Sequence, residues 1–122
     1  VLAIDPGGST GVALRLPDGS YTTTTTSTPS ELFDIILEKP DVVICELFAT
    51  GGRVDKYMIY TIDLVGGIKA LCYALGVRCV MHTPQRRYPW LLAANSLLPK
   101  SYALRHEVDA LAHLLAFEEL GE

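Results

Sequence analysis

Apolar residues recur along this chain with two different periods. Near the N-terminus the runs are short and β-prone. Val1 to Ile4 ends on Asp5, Pro6 to Thr10 carries turn chemistry, and Gly11 to Leu16 (GVALRL) is a second apolar run. Pro17-Asp18-Gly19 is a tight turn into Ser20 to Thr26, a segment rich in β-branched threonine. These three runs predict an antiparallel meander with hairpin turns, the threonine-rich one being an exposed or edge strand. A helical period then takes over. Thr28 caps, Pro29 takes the first helical position, Glu31 completes a capping box, and Leu32, Ile35 and Ile36 form the apolar stripe before Pro40. Asp41 to Glu46 returns to a buried strand that again ends on a carboxylate, and Leu47 to Arg53 reads as a loop. Val54 to Leu75 is helical although Gly66-Gly67 costs on the order of 1 kcal/mol per glycine. Close packing against a sheet or a second copy of the chain accounts for that pair. Val77 to Met81 is a fifth strand, and Arg86 to Leu98 is short helix or loop, interrupted by Pro89. Ala103 to Leu120 is the last helix, with Leu104, Val108, Leu111 and Leu115 on its apolar face. The order β-β-β-α-β-α-β-α predicts a single α/β domain over residues 1–122, a mixed five-stranded sheet flanked by helices.

Composition changes this picture little. At 49% hydrophobic and 20% charged residues, the chain excludes disordered and collagen-like classes. Three cysteines (Cys45, Cys72, Cys79), never spaced C-x-x-C, argue against a disulfide framework or zinc knuckle. A reducing, cytoplasmic setting is expected, in a bacterium or a phage-infected cell. No apolar run is read as approaching the roughly 20 residues of a membrane span, so no membrane partner is expected. The chain reads as strand from Val1 onward, which leaves a preceding segment open.

Charge is segregated along the chain. The net charge is −4. Residues 1–51 hold two basic and seven acidic side chains, residues 52–106 eight and two, and residues 107–122 none and five. The central basic stretch has the form of a surface that meets a polyanion.

The chemistry lies in three acids and a histidine. Asp5 and Glu46 end two apolar strands, where an ionised group is costly unless something neutralises it. His106 and Asp109, three apart, project from one face of the last helix. Taken singly, Asp5 is also a turn former, Glu46 a loop cap, and His106 and Asp109 solvent-facing residues; His113 reads as a surface histidine outside the site. Taken together, with the two strand ends adjacent and the helix across them, the carboxylates repel unless cations intervene. Oxygen ligands with one nitrogen suit Mg²⁺, with Mn²⁺ as substitute. Two such ions are the apparatus of in-line phosphodiester hydrolysis.

Three segments carry a resemblance. Ile4-Asp5-Pro6-Gly7-Gly8-Ser9-Thr10-Gly11-Val12-Ala13 resembles the first motif of RuvC-type Holliday junction resolvases. Val43-Ile44-Cys45-Glu46 is similar to their second motif, and His106-Glu107-Val108-Asp109-Ala110-Leu111-Ala112 to their last. The resemblance implies a ribonuclease H-like fold and a metal-dependent endonuclease acting on branched DNA as a homodimer. It further implies that Asp5 bridges two metal ions, that Glu46 and Asp109 are ligands, and that His106 stands where many members carry a fourth aspartate. Arg86 and Arg87 are expected on phosphate, with Lys100, Arg105, Arg53 and Lys56 as further DNA contacts. Phe48 and Tyr57 are the candidates for an aromatic wedge at the crossover, Phe48 reading more readily as a core residue. The compact basic segment fits a phage-type enzyme that accepts several branched DNAs.

Other classes fit less well. Sugar kinases and actin-like ATPases share the Asp5-Pro-Gly-Gly-Ser-Thr-Gly opening, but they need a second phosphate loop and an adenosine motif, so no nucleotide cofactor is expected. Glycosidase use of Asp5 and Glu46 leaves two further ligands idle. A related RNA or packaging nuclease, or a non-catalytic DNA-binding or dimerisation module, stays open as an alternative.

Overall fold

A computed structural model describes residues 1–48, 55–98 and 105–122. Its strands are β1 (Leu2–Asp5), β2 (Thr10–Arg15), β3 (Tyr21–Thr26), β4 (Val42–Glu46) and β5 (Arg78–His82). Its helices are α1 (Pro29–Leu37), α2 (Lys56–Leu75), α3 (Leu91–Leu97), which follows a 3₁₀ stretch over Pro84–Trp90, and α4 (Arg105–Leu120). The sheet order is β3-β2-β1-β4-β5. Tight turns join β1, β2 and β3 as antiparallel neighbours, whereas β4 and β5 follow helical crossovers and pair in parallel with β1 and β4. This is the mixed sheet the sequence predicts, with β3 at the edge.

The period of two sorts side chains onto unequal faces. Leu2, Ile4, Val12, Val43 and Cys45 pack against Leu32 and Ile36 of α1 and Leu64, Val65 and Ile68 of α2. Ala3, Ala13 and Ile44 meet Ala110, Leu111 and Leu114 of α4, with Ala94 of α3 beside them. Each fully buried Leu or Ile contributes about 1.5–3 kcal/mol, so the first face supplies much of the stability. The second, floored by small residues, lets α4 lie close to the strands.

Caps set the helix ends. The Thr28 side chain accepts from the Glu31 amide at 3.3 Å, as the capping box requires. Asp55 caps α2 through the amides of Tyr57 and Met58 at 2.9 and 3.0 Å, and Gly76 ends it in the left-handed region at φ 70°. Helix α2 thus begins at Lys56; Val54 lies outside the described residues. Of the glycine pair, a Cβ on Gly67 would stand 2.9 Å from the Phe33 ring, while Gly66 borders open space. The close neighbour is therefore α1, not the sheet.

Two expectations need correction. Helix α2, 20 residues long with a mean hydropathy of 1.4 over its best window, is long and apolar enough to cross a bilayer by length and composition. Scattered Lys56, Asp63 and Lys69 disguise this in the sequence. In the fold Thr61, Leu64, Val65, Ile68 and Cys72 are buried, while Tyr57, Ile59, Tyr60 and Ile62 are exposed. On α4 the buried face is wider than the expected stripe. Val108 and Leu115 are only half-buried, whereas Glu107, Asp109 to Leu114 and Ala116 are all buried; Leu104 lies outside the described residues. The helix touches the sheet on one side and the 3₁₀ stretch and α3 on the other, so its small residues are covered nearly all round.

Candidate active site

Strand parity delivers the site. Asp5 continues the alternation of Ala3, and Glu46 that of Ile44, so both carboxylates leave the sheet on the α4 side. The parallel register Ile4↔Cys45 brings the two strand ends level. Gly11 pairs with Asp5 across β1 and β2. A Cβ on Gly11 would collide with the His106 carbonyl and the Glu107 amide. Glycine is what lets the first turn of α4 settle on the strand beside Asp5. Glu107 secures it there, accepting hydrogen bonds from the Thr23 and Thr25 hydroxyls of β3 at 2.6 Å each.

This docking sets His106 against Asp5, with Glu46 and Asp109 near enough for their charges to act on it. His106 Nδ1 lies 2.9 Å from Asp5 Oδ2. Burial pushes the Asp5 carboxyl up to about 6; the His106 hydrogen bond opposes the rise, and the charges of Glu46 and Asp109 add to it. Glu46 also meets His113, whose Nε2 lies 2.8 Å from Oε2. His113 is not the surface histidine the sequence suggests: it is fully buried.

Arg87 stands apart from its expected place. Its side chain, only 13% exposed, reaches in from the 3₁₀ stretch, with Nη1 3.5 Å from both Glu46 oxygens and Nε 3.4 Å from Asp109 Oδ1. Nη1 also donates to the Pro84 carbonyl at 2.7 Å. The guanidinium is thus a counter-charge inside the acidic cluster, not a free phosphate contact. Charge-assisted hydrogen bonds are usually about 2.7–2.9 Å, so its hold on the carboxylates is loose.

The donor set fits divalent metal in kind: three carboxylates and one imidazole are ligands for Mg²⁺ or Mn²⁺, and the charges of Glu46 and Asp109 add to the burial that raises Asp5. As the side chains stand, however, no three His, Cys, Asp or Glu residues among the described residues are grouped to hold an ion. Arg87 balances part of the charge that the sequence assigns to cations alone, and His106 and His113 hydrogen-bond Asp5 and Glu46.

The remaining candidates are dispersed. Arg105 is exposed and lines, with Arg87, Tyr88, Asn95 and Asp109, a cleft of about 400 Å³ that opens beside the site. Arg86 is half-buried, 3.9 Å from Glu122. Lys56 is exposed, its ammonium 5.2 Å from the Tyr57 ring. Arg53 and Lys100 lie outside the described residues. Of the wedge candidates, Tyr57 is 71% exposed, while Phe48 is half-buried along an apolar groove with Ile62 and Val65. Sequence reasoning missed His82, His113 and Gly11. The i, i+4 spacing of Asp109 and His113 was the available signal for the second; contact between Gly11 and α4 had none.

No protein-family model and no curated protein matches the sequence. Among solved structures, the chain matches T. thermophilus RuvC in complex with Holliday junction substrate with a TM-score of 0.69 at 16% identity, over 98% of this chain and 95% of that one. A second Thermus thermophilus RuvC structure gives 0.63 at 16% identity over the same shares. The yeast mitochondrial Holliday junction resolvase Ydc2 gives 0.60 at 15% identity, over 95% of this chain and 76% of that one. The chain therefore has a ribonuclease H-like fold. Over nearly its whole length it shares the architecture of these RuvC structures.

Proposed function

We propose that this protein is a divalent-metal-dependent, structure-selective DNA endonuclease that resolves Holliday junctions and other branched DNA. The observation that carries the reading is the convergence of Asp5, Glu46, Asp109 and His106 where β1, β4 and α4 meet. A near-complete match to RuvC in both directions supports it. Asp5, whose proton affinity responds to both other carboxylates, is the shared ligand; Glu46, Asp109 and His106 complete the set. When bound, two Mg²⁺ or Mn²⁺ ions would polarise the scissile phosphate and lower the pKa of water. The chain's own residues bring the two strand ends level, seat the first turn of α4 beside Asp5 and place the cleft lined by Arg105 alongside.

Arg87 in this reading is the resting counter-ion, displaced as cations arrive. Arg87→Ala should lower metal-free stability by roughly 1–3 kcal/mol, because two carboxylates lose their partner. It should also enlarge the upward Tm shift produced by Mn²⁺. Differential scanning fluorimetry in chelator and in Mn²⁺ measures both; an unaltered Mn²⁺ shift would remove Arg87 from the ion's place.

Opposed cuts on two strands need two active sites. A homodimer through α2, whose Tyr57, Ile59, Tyr60 and Ile62 present apolar surface, would supply them. Work on recombination or repair intermediates in the cytoplasm of a bacterium or phage-infected cell completes the proposal. The test is cleavage of a synthetic four-way junction, a flap, an RNA–DNA hybrid and a linear duplex with Mg²⁺ or Mn²⁺. Paired symmetric nicks in the junction, with 5′-phosphate and 3′-hydroxyl ends, are expected. Preference for the hybrid would favour a ribonuclease, and junction binding without cleavage a non-catalytic module.

A further inference from the structure

A second polar chain runs from Glu46 through His113 to His82. His113 and His82 are 0% and 1% exposed, and no other imidazole is so enclosed. Their Nδ1 atoms are 3.0 Å apart, and His113 Nε2 is 2.8 Å from Glu46 Oε2. The backbone is clamped at the same level: Glu46 pairs with His82 across β4 and β5, and the Leu47 amide donates to the His82 carbonyl at 2.6 Å.

One proton position follows from its partner. An ionised carboxylate only accepts, so His113 Nε2–H is the donor. The Nδ1–Nδ1 contact with His82 needs one further proton, carried by one ring or the other. His82 Nε2 is buried and makes no hydrogen bond of good geometry among the described residues, while the Glu122 backbone approaches the ring. Burial lowers the pKa of His82, and this Glu122 backbone contact opposes that shift. Two leucines would fill the same space without this desolvation cost, so the imidazoles must serve an orientation.

We propose that His113, backed by His82, is a positioning strut that fixes the Glu46 carboxylate for ligation of the divalent cation. Oε2 is committed to His113, and Oε1 meets only Arg87 among the described residues. Outer-shell partners of this kind are commonly worth about 10–100-fold in metal affinity. The proposal rests on the nuclease reading for its purpose, but its test does not require DNA.

Two measurements decide it. On the wild-type protein, long-range ¹H–¹⁵N correlation should find a proton on His113 Nε2; an unprotonated Nε2 facing Glu46 overturns the strut. Calorimetric titration with Mn²⁺ alone should then show His113→Leu weakened by about 10–100-fold, with His113→Gln, whose amide reaches a similar donor position, recovering most of the loss. Circular dichroism and Tm confirm that the variants fold; should His113→Leu not fold, His113→Gln is compared with His82→Leu, which frees the strut and should bind Mn²⁺ more weakly than His113→Gln. Equal Mn²⁺ affinity in a folded variant lacking the donor and in wild type would overturn the role. On junction DNA, the loss should fall on kcat and spare KM. A wild-type protein that binds Mn²⁺ with this variant series yet cuts no DNA would end the nuclease reading and support the strut.

Discussion

Asp5→Asn will reduce junction cleavage by on the order of 10³-fold or more, while making the metal-free protein more stable at neutral pH. The first half follows from removing the carboxylate proposed as the shared metal ligand; loss of a single preorganised electrostatic group alone costs about 10²–10³. The second half follows from linkage. The carboxyl titrates near 3.8 when unfolded and about 6 in the fold, chiefly because it is buried. The folded state therefore holds the proton more tightly. The associated stability is complete below 3.8 and is lost as pH rises through about 6. At about 1.4 kcal/mol per pKa unit, the ionised Asp5 costs the fold about 3 kcal/mol at pH 7. Asparagine carries no such cost at any pH. Denaturation in chelator should show the variant ahead of wild type at pH 7.5 and the two converging near pH 4. Parallel curves at all pH values would mean that Asp5 is not confined among acids as described. Junction binding, read by gel shift, should survive the substitution.

Gly11→Ala is expected to do comparable damage by a steric route. Its Cβ would meet the His106 carbonyl and the Glu107 amide, which are backbone atoms and cannot swing aside. Overpacking of this kind costs about 1–3 kcal/mol, and here relief requires lifting the first turn of α4 from β2. That movement separates His106 and Asp109 from Asp5 and pulls Glu107 from Thr23 and Thr25. A fall in urea midpoint with cleavage reduced at least about 10²-fold is predicted, since misplacement by an ångström can cost that much. Gly8→Ala is the control, because nothing lies within 4 Å of its Cβ position. If Gly11→Ala matched the control in both readouts, the close seating of α4 would be wrong.

The difference between these two predictions marks what was legible in the sequence. Asp5 and Glu46 advertise themselves, since a carboxylate closing an apolar run has few structural reasons to be there. The meander, the parallel crossovers and the order of elements follow from turn residues and periodicity, and they determine that both acids face one helix. The Gly11 contact is a meeting of segments about a hundred residues apart, and no local pattern encodes it. Arg87 was read as a DNA contact because a basic run beside aromatics usually faces solvent; only the fold turns it back onto Glu46 and Asp109. His113 failed for a related reason. A stripe drawn through leucines assumes that one side of α4 is buried, whereas the 3₁₀ stretch and α3 cover a second side and enclose the imidazole.

The account depends on charges from three distant segments sharing an ion that Arg87 can surrender. Crystals grown with Mn²⁺ and measured for anomalous scattering put that to the test directly. The predicted map has manganese peaks bonded to Asp5, shared with Glu46 on one side and with Asp109 or His106 on the other, and Arg87 withdrawn from both carboxylates. A map with no peak at saturating Mn²⁺, and Arg87 still lodged between Glu46 and Asp109, would contradict it.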